Sequence, residues 1–362
     1  MDLKTRIEHY KALEEYRKKP LIIYATSTRP GVGAQMAGDA VREFIDQIEV
    51  VDPGAKDIDI LIHSTGGDAL AAWKLMSLVR ERFDNVSVLV PYMAFSAATL
   101  FALGANEIVM HPNASLGPID PQITVKLPDG QTRSFAYEDV ASFLQFLADE
   151  VKITDQPHTA SVVDRLFSAV DPVVVGAARR ASELSSSVGE RLLSMHMTGV
   201  DGQQMEKKIA TDLNKSFFAH ADAVSLTRAR GLKLQVADDD RDLHKLMWNA
   251  YLALEEHMEF RKPFNALHCF LSDPDAEESL KPRAPLPLPP NAPPQVLQQV
   301  WTQAANNARA SFGQTGKVVE FSIVNAVVES GRAASEHRTD GTISANRDPL
   351  GKIKLTVTER EV

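Results

Sequence analysis

The chain has 362 residues, 44% of them apolar, a formal net charge of −9 and one cysteine, Cys269. An acidic chain excludes binding led by phosphate neutralisation, so neither nucleic acid nor an anionic membrane surface is an expected partner. A lone cysteine excludes an internal disulfide, and no stretch reaches the roughly 18 apolar residues of a membrane span. The opening MDLKTRIEHYKALEEYRKKP is charged throughout and lacks the apolar segment of a secretory leader, so a cytoplasmic location is expected.

In chain order, Leu21–Ala25 (LIIYA) is a short apolar run with the look of a buried strand, followed by the turn-rich TSTRPGVG. Val41, Phe44, Ile45 and Ile48 fall at i, i+3, i+4 and i+7 and predict a helix over Asp39–Glu49. Ile58–His63 (IDILIH) is a second strand ending in SerThrGlyGly, and Leu70–Arg82 the next helix. Val86–Val90 is a third strand, Ser96–Ala105 a small-residue helix, and Glu107–Met110 a fourth strand. This alternation of strand and helix calls for a parallel sheet with helices packed on it. From about Glu138 the strand signal stops. Val140, Phe143, Leu144 and Leu147 mark a helix face, and further helices are expected over Thr159–Met195, Gln204–His220 and Arg241–Met258, with Gly231 as a helix stop.

Residues 282–294 (PRAPLPLPPNAPP) hold seven prolines in thirteen positions, which no helix or strand interior tolerates. An extended linker is expected there, open to limited proteolysis. A helical stretch, Gln295–Ala310, follows it, then two alternating segments, Val319–Ile323 and Lys352–Val357, with the pattern of half-exposed strands. The expected organisation is an α/β core over 1–137, a helical region over 138–281, the linker over 282–294 and a tail over 295–362.

Three segments carry candidate chemistry. In IDILIHSTGGDALAAWKL a strand runs into Gly66–Gly67 and a helix starts directly after. Glycine lets the backbone turn its N–H groups outward, and such groups stabilise the oxyanion of an acyl-transfer reaction. In VPYMAFSAATLFALGANEIVM, Ser96 opens an alanine-rich helix, so its own N–H and that of Ala97 point toward a reacting carbonyl. In HPNASLGPIDPQI, glycine and proline fix an irregular path that includes Asp120. Taken singly, Gly66–Gly67 is an ordinary strand-to-helix turn, Ser96 a helix N-cap and the Gly-Pro/Asp-Pro run a plain loop. Their order along the chain is the stronger signal.

The succession HSTGGD, AFSAAT, LGPIDPQ resembles the serine dehydrogenase proteinase family, Clp-fold serine peptidases related to ClpP and signal peptide peptidase SppA, over roughly residues 20–240. The resemblance implies a Clp/crotonase-like α/β fold, a peptide or protein substrate and a homo-oligomer. It places Ser96 at the nucleophile, Gly66 and Gly67 at the oxyanion hole, and, through FFAHADAVSLTRARGLKL, His220 at a histidine of the family. The chain departs from the ClpP pattern where the triad histidine belongs: Asp120 and Pro121 stand there, and His111 comes too early. SppA-type relatives use a downstream lysine, and Lys152 in DEVKITDQP falls in that range. The base is therefore Lys152 or His220, with Asp120 orienting it or holding the loop. Lysine serves as a base where burial lowers its pKa.

No cofactor or metal is expected. GVGAQMAG has Met36 where a dinucleotide-binding loop needs its last glycine, and the chain has neither a Walker A motif nor a zinc-ligand pattern. Two other functions share the fold signature. A crotonase-like acyl-CoA hydratase or isomerase would use Asp120 as acid and need no nucleophile at Ser96, and a non-catalytic scaffold would need no base.

Overall fold

The computed structural model describes residues 2–126, 131–215, 223–280, 293–311, 317–347 and 353–361. The first elements in chain order are α1 (Leu3–Arg17), β1 (Leu21–Thr26), α2 (Ala40–Glu49), β2 (Asp57–His63), α3 (Ala69–Arg82), β3 (Asn85–Val90), β4 (Met93–Ala94), α4 (Ala97–Leu103), β5 (Glu107–Met110) and β6 (Ser115–Leu116). Next come β7 (Ile123–Lys126), β8 (Thr132–Phe135), α5 (Tyr137–Asp149), α6 (Gln156–Ala169), α7 (Pro172–Ser194), α8 (Val200–Lys215), β9 (Val224–Ser225), α9 (Leu226–Gly231) and α10 (Arg241–His257). The last are α11 (Ala266–Leu271), α12 (Pro274–Ser279), α13 (Pro294–Ser311), β10 (Val318–Glu329), β11 (Ala334–Arg347) and β12 (Ile353–Glu361).

The chain divides into two compact units, one of residues 1–26, 34–257 and 327–335, the other of 27–33, 258–326 and 336–362. The boundary cuts through β10, whose last residues count with the first unit.

In the first unit β1, β2, β3 and β5 lie side by side in that order, all parallel, with Ile22 opposite Ile60 and Val88 opposite Ile108. These strands are nearly continuous apolar runs because both faces of the sheet are covered. One face sends Ile22, Tyr24, Ile60, Ile62, Val88 and Val90 into a core shared with Phe44 of α2, Leu75 and Met76 of α3 and Phe101 of α4. Successive side chains point to opposite faces, so Asp59, Ser87 and Glu107 line up across β2, β3 and β5 on the other one. Arg17, ending α1, bonds all three, at 2.7 Å to Asp59 Oδ2, 3.1 Å to Ser87 Oγ and 2.8 Å to Glu107 Oε2. The polar residues of DIDILIH are thus the ladder that fastens α1 to the sheet.

The opening helix α1 is a finding, since no element is expected there from the sequence. Its buried residues are Arg6, Tyr10 and Leu13, so the buried stripe contains a charge and hides the apolar period. Arg6 is buried because it pairs with the equally buried Glu329, which also accepts the Tyr10 hydroxyl at 2.8 Å. Removing one partner of a buried pair leaves the other charge without compensation. Glu329→Ala should therefore cost about 3–5 kcal/mol, read as a fall in the urea midpoint. A loss under about 1 kcal/mol would show that the pair holds nothing together.

Three further differences from the sequence expectation stand out. β7 and β8 pair antiparallel in a stretch to which the sequence assigns no element. α4 begins at Ala97, leaving Ser96 outside it. β11 (ASEHRTDGTISANR) is a long strand with too few apolar residues to show a period. In the second unit β11 pairs antiparallel with β12, Ile343 opposite Val357, and β10 flanks β11 on its other side. The core of this unit gathers Phe270, Ala276, Leu280, Ile343 and Ala345, with Phe264 and Phe321 packed against them. Residues 282–292 of the expected linker lie outside the described residues, and its last residue, Pro294, already opens α13.

Candidate active site

β2 ends at His63, and Ser64 continues it into a single parallel bridge with Ala94 of β4. The Ser64 N–H donates to the Met93 carbonyl at 3.2 Å, and the Ser64 carbonyl accepts the Phe95 N–H at 3.0 Å. The end of β2 is thereby tied to the residues directly before Ser96. Gly66 and Gly67 follow with φ of 102° and 152°, and Asp68 caps α3 by accepting the Leu70 N–H at 2.9 Å.

Ser96 has φ 51° and ψ −117°, and its side chain makes no capping bond. An N-cap serine has an extended backbone and accepts an N–H of the first turn, so the helix-cap reading of Ser96 does not hold. A non-glycine residue in such a conformation costs about 1–3 kcal/mol and persists only where its surroundings impose it. Here they do. The Phe95 N–H is held by Ser64, the Ala98 N–H donates to the Phe95 carbonyl at 2.9 Å, and the Leu100 N–H donates to the Ser96 carbonyl at 3.0 Å. Ser96 is half-buried on a sharp turn between β4 and α4.

Gly66 lies against it. A Cβ on Gly66 would stand 2.5 Å from the Phe95 carbonyl oxygen, 2.6 Å from Ser96 Cβ and 2.9 Å from the Ala97 nitrogen. Gly67 is equally confined on its other side, because Met36 forms a parallel bridge with it and donates its N–H to the Gly66 carbonyl at 2.7 Å. That bond turns the Gly66 carbonyl toward Met36 and the Gly67 N–H the opposite way. Among the described residues neither the Gly67 N–H nor the Ala97 N–H has a hydrogen-bond acceptor. A hydroxyl on a strained turn, packed against a diglycine turn that carries an unengaged N–H, is an arrangement suited to acyl-transfer chemistry.

The Gly-Pro loop is part of the same assembly. β6 pairs with β4, and Gly117 approaches Phe95 so closely that a Cβ would meet the Phe95 side chain at 3.0 Å. The buried Thr99 hydroxyl lies 2.7 Å from the Ala94 carbonyl and accepts the Gly117 N–H at 3.0 Å. Asp120 is buried further along this loop and accepts a bond from Gln122 Nε2 at 3.2 Å. The adjacent Ile119 N–H donates to the Leu213 carbonyl in the last turns of α8 at 3.0 Å. Lys152 is exposed on the turn after α5, at φ 65°. His220 lies outside the described residues.

Sequence reasoning passed over His63, the residue before the SerThrGlyGly turn. It is fully buried, stacked on Tyr92 with ring centroids 6.1 Å apart and tilted against Tyr251 at 5.1 Å. Burial pushes its pKa down to about 3, so it stays neutral at ordinary pH. The ordinary value is 6.5. Between these values the unfolded chain binds a proton that the folded chain refuses, so stability falls as pH drops through that window. The unfolding free energy of the wild type should lose roughly 1.4 kcal/mol per pH unit relative to His63→Phe as pH falls from about 6 to 4. Denaturant titrations at several pH values read this, and parallel pH profiles for the two proteins would refute it.

Residues 39–134, which contain Gly66, Gly67, Ser96 and Asp120, match the family model of the ClpP-like SDH-type serine proteinases. Two uncharacterized proteins of Methanocaldococcus jannaschii are 44% and 42% identical to the chain over 71 residues, 20% of this chain and 25% and 24% of theirs. The chain thus spans about a quarter of the length of the curated relatives it matches. Among solved structures, a mutant of the membrane-bound stomatin-specific protease 1510-N is similar at a TM-score of 0.38 and 16% identity, over 63% of this chain and 84% of that one. ClpP1 of Listeria monocytogenes is similar at a TM-score of 0.31 and 14% identity, over 64% of this chain and 97% of that one. No helix among the described residues is long and apolar enough to cross a membrane.

Proposed function

We propose that the protein is a serine endopeptidase with Ser96 as its nucleophile. The observation that carries this reading is the strained Ser96 backbone with Gly66 packed directly on it. Strain at a side chain that caps nothing is otherwise a pure cost to the fold. The family match over residues 39–134 supports the same reading independently.

In this mechanism Ser96 Oγ attacks the carbonyl carbon of a peptide bond and gives its proton to a base. The Gly67 and Ala97 N–H groups hold the resulting oxyanion, each donor worth roughly 3 kcal/mol of barrier. The C–N bond then breaks, the amine leaves with a proton from the base, and water hydrolyses the acyl-enzyme. The base is Lys152 or His220. A lysine acts as a base only where its surroundings remove water. Lys152 is exposed in the single chain, so its assignment requires a neighbouring surface that covers it, which a homo-oligomer supplies.

The test is labelling with a fluorophosphonate, followed by peptide mapping. A covalent phosphonyl group on Ser96 supports the peptidase and counts against both a crotonase-like reaction and an inert scaffold. Lys152→Ala and His220→Ala should then differ sharply, with only the true base slowing the labelling by orders of magnitude. A wild-type protein that carries no label on Ser96 would end this reading.

A further inference from the structure

Ser64 is the most connected residue around the turn that faces Ser96, and the mechanism above leaves its side chain without a role. It is fully buried. Its Oγ accepts the Gly66 N–H at 3.0 Å and the hydroxyl of the equally buried Thr26 at 2.7 Å. Its main chain at the same time bonds Met93 and Phe95, on the approach to Ser96.

We propose that Ser64 is a positioning residue for the oxyanion turn: its hydroxyl, set by Thr26, fixes the Gly66 amide plane so that the Gly67 N–H faces Ser96. The inference rests on the peptidase reading and deepens it. Two consecutive glycines have the freest backbone in any chain, and nothing intrinsic to them selects one orientation of the peptides around them. Two bonds do the selecting. The Met36 N–H holds the Gly66 carbonyl, which sets the plane between Gly66 and Gly67. Ser64 Oγ holds the Gly66 N–H, which sets the plane before it. A serine hydroxyl bonding an N–H two residues on is a recognised local turn, so the spacing in HSTGG already carries the device. Thr26, at the end of β1, removes the rotameric freedom of Ser64 by bonding its Oγ. The turn is thus referenced to two neighbouring strands of the sheet, and the same residue references Phe95. A single residue therefore ties both turns to one frame, the donor turn through its side chain and the turn of Ser96 through its main chain.

The experiment measures the second-order rate of Ser96 labelling by a small fluorophosphonate, beside the thermal midpoint, for the wild type, Ser64→Ala, Ser64→Thr and Thr26→Val. Ser64→Ala should slow labelling roughly 100-fold, the usual effect of a misplaced oxyanion donor. Thr26→Val, which leaves the Gly66 bond possible but unanchored, should slow it roughly tenfold. Ser64→Thr keeps a hydroxyl and should recover most of the lost rate. A purely structural role predicts rates that follow the midpoints instead, and that pattern, or unchanged labelling in Ser64→Ala, overturns the proposal. Should Ser64→Ala fail to fold, Thr26→Val decides: wild-type labelling refutes, slowed labelling at an unchanged midpoint supports. Should the wild type itself carry no label on Ser96, the peptidase reading falls, and crystal structures of Ser64→Ala and Thr26→Val judge the positioning claim alone. A Gly66–Gly67 turn unchanged in both refutes it, and a rotated Gly66 peptide in either sustains it.

Discussion

Ser96→Ala is expected to abolish peptide hydrolysis, a loss of at least about four orders of magnitude, while the unfolding free energy moves by less than about 0.5 kcal/mol. Both halves follow from the same geometry. The Ser96 hydroxyl makes no capping bond, so deleting it costs the fold no hydrogen bond of that kind. Its neighbours along the chain, Ala94, Ala97 and Ala98, are small and buried, and a methyl group suits that setting. The backbone strain, however, stays, because alanine at φ 51° is no more comfortable than serine. Ser96→Gly is the sharper control. Glycine visits positive φ freely, so this variant should be as inactive as Ser96→Ala yet more stable by about 1 kcal/mol. Paired assays of hydrolysis and urea unfolding read both. Residual activity above a few per cent in either variant would remove Ser96 from the chemistry, and a destabilised glycine variant would show that the turn is not strained.

The sheet was legible because β1, β2, β3 and β5 are covered on both faces and are written as short apolar runs between turn residues. Their polar exceptions, Asp59, Ser87 and Glu107, look like noise until Arg17 is seen to bond all three. Helix α1 was not legible, since the partner that makes Arg6 a buried residue is Glu329, at the far end of the sequence. β11 was hidden for a related reason: ASEHRTDGTISANR is polar, and only pairing with β12 shows it as a strand. In the candidate site, Gly66, Gly67 and Ser96 could be proposed from the order of their motifs. Their contact could not be, because the bond from Phe95 to Ser64 joins residues 31 positions apart through the meeting of β2 and β4. The strain at Ser96 was also invisible, for a serine before an alanine-rich helix has the same sequence whether it caps the helix or not.

Gly66→Ala should damage both the fold and the candidate site. Gly66 has φ 102°, which an alanine adopts only at a cost. Its new Cβ would meet the Phe95 carbonyl oxygen at 2.5 Å and the Ala97 nitrogen at 2.9 Å, both main-chain atoms, besides Ser96 Cβ at 2.6 Å. None of these is the free end of a flexible side chain, so relief requires the turn that carries Ser96 to move. The Phe95 N–H is held on the Ser64 carbonyl and the Ser96 carbonyl accepts from Leu100, so that movement breaks backbone bonds. Overpacking and strain together predict a loss of about 2–4 kcal/mol of stability. The folded fraction should also label with fluorophosphonate at least roughly 100-fold more slowly, since a displacement of about 1 Å at the nucleophile costs that much. Gly231→Ala is the matched control. Nothing lies within 4 Å of a Cβ at that position, and stability should change by no more than about 0.5 kcal/mol. If Gly66→Ala folds and labels like the control, Gly66 does not press on Ser96, and the two glycines are only a strand-to-helix turn.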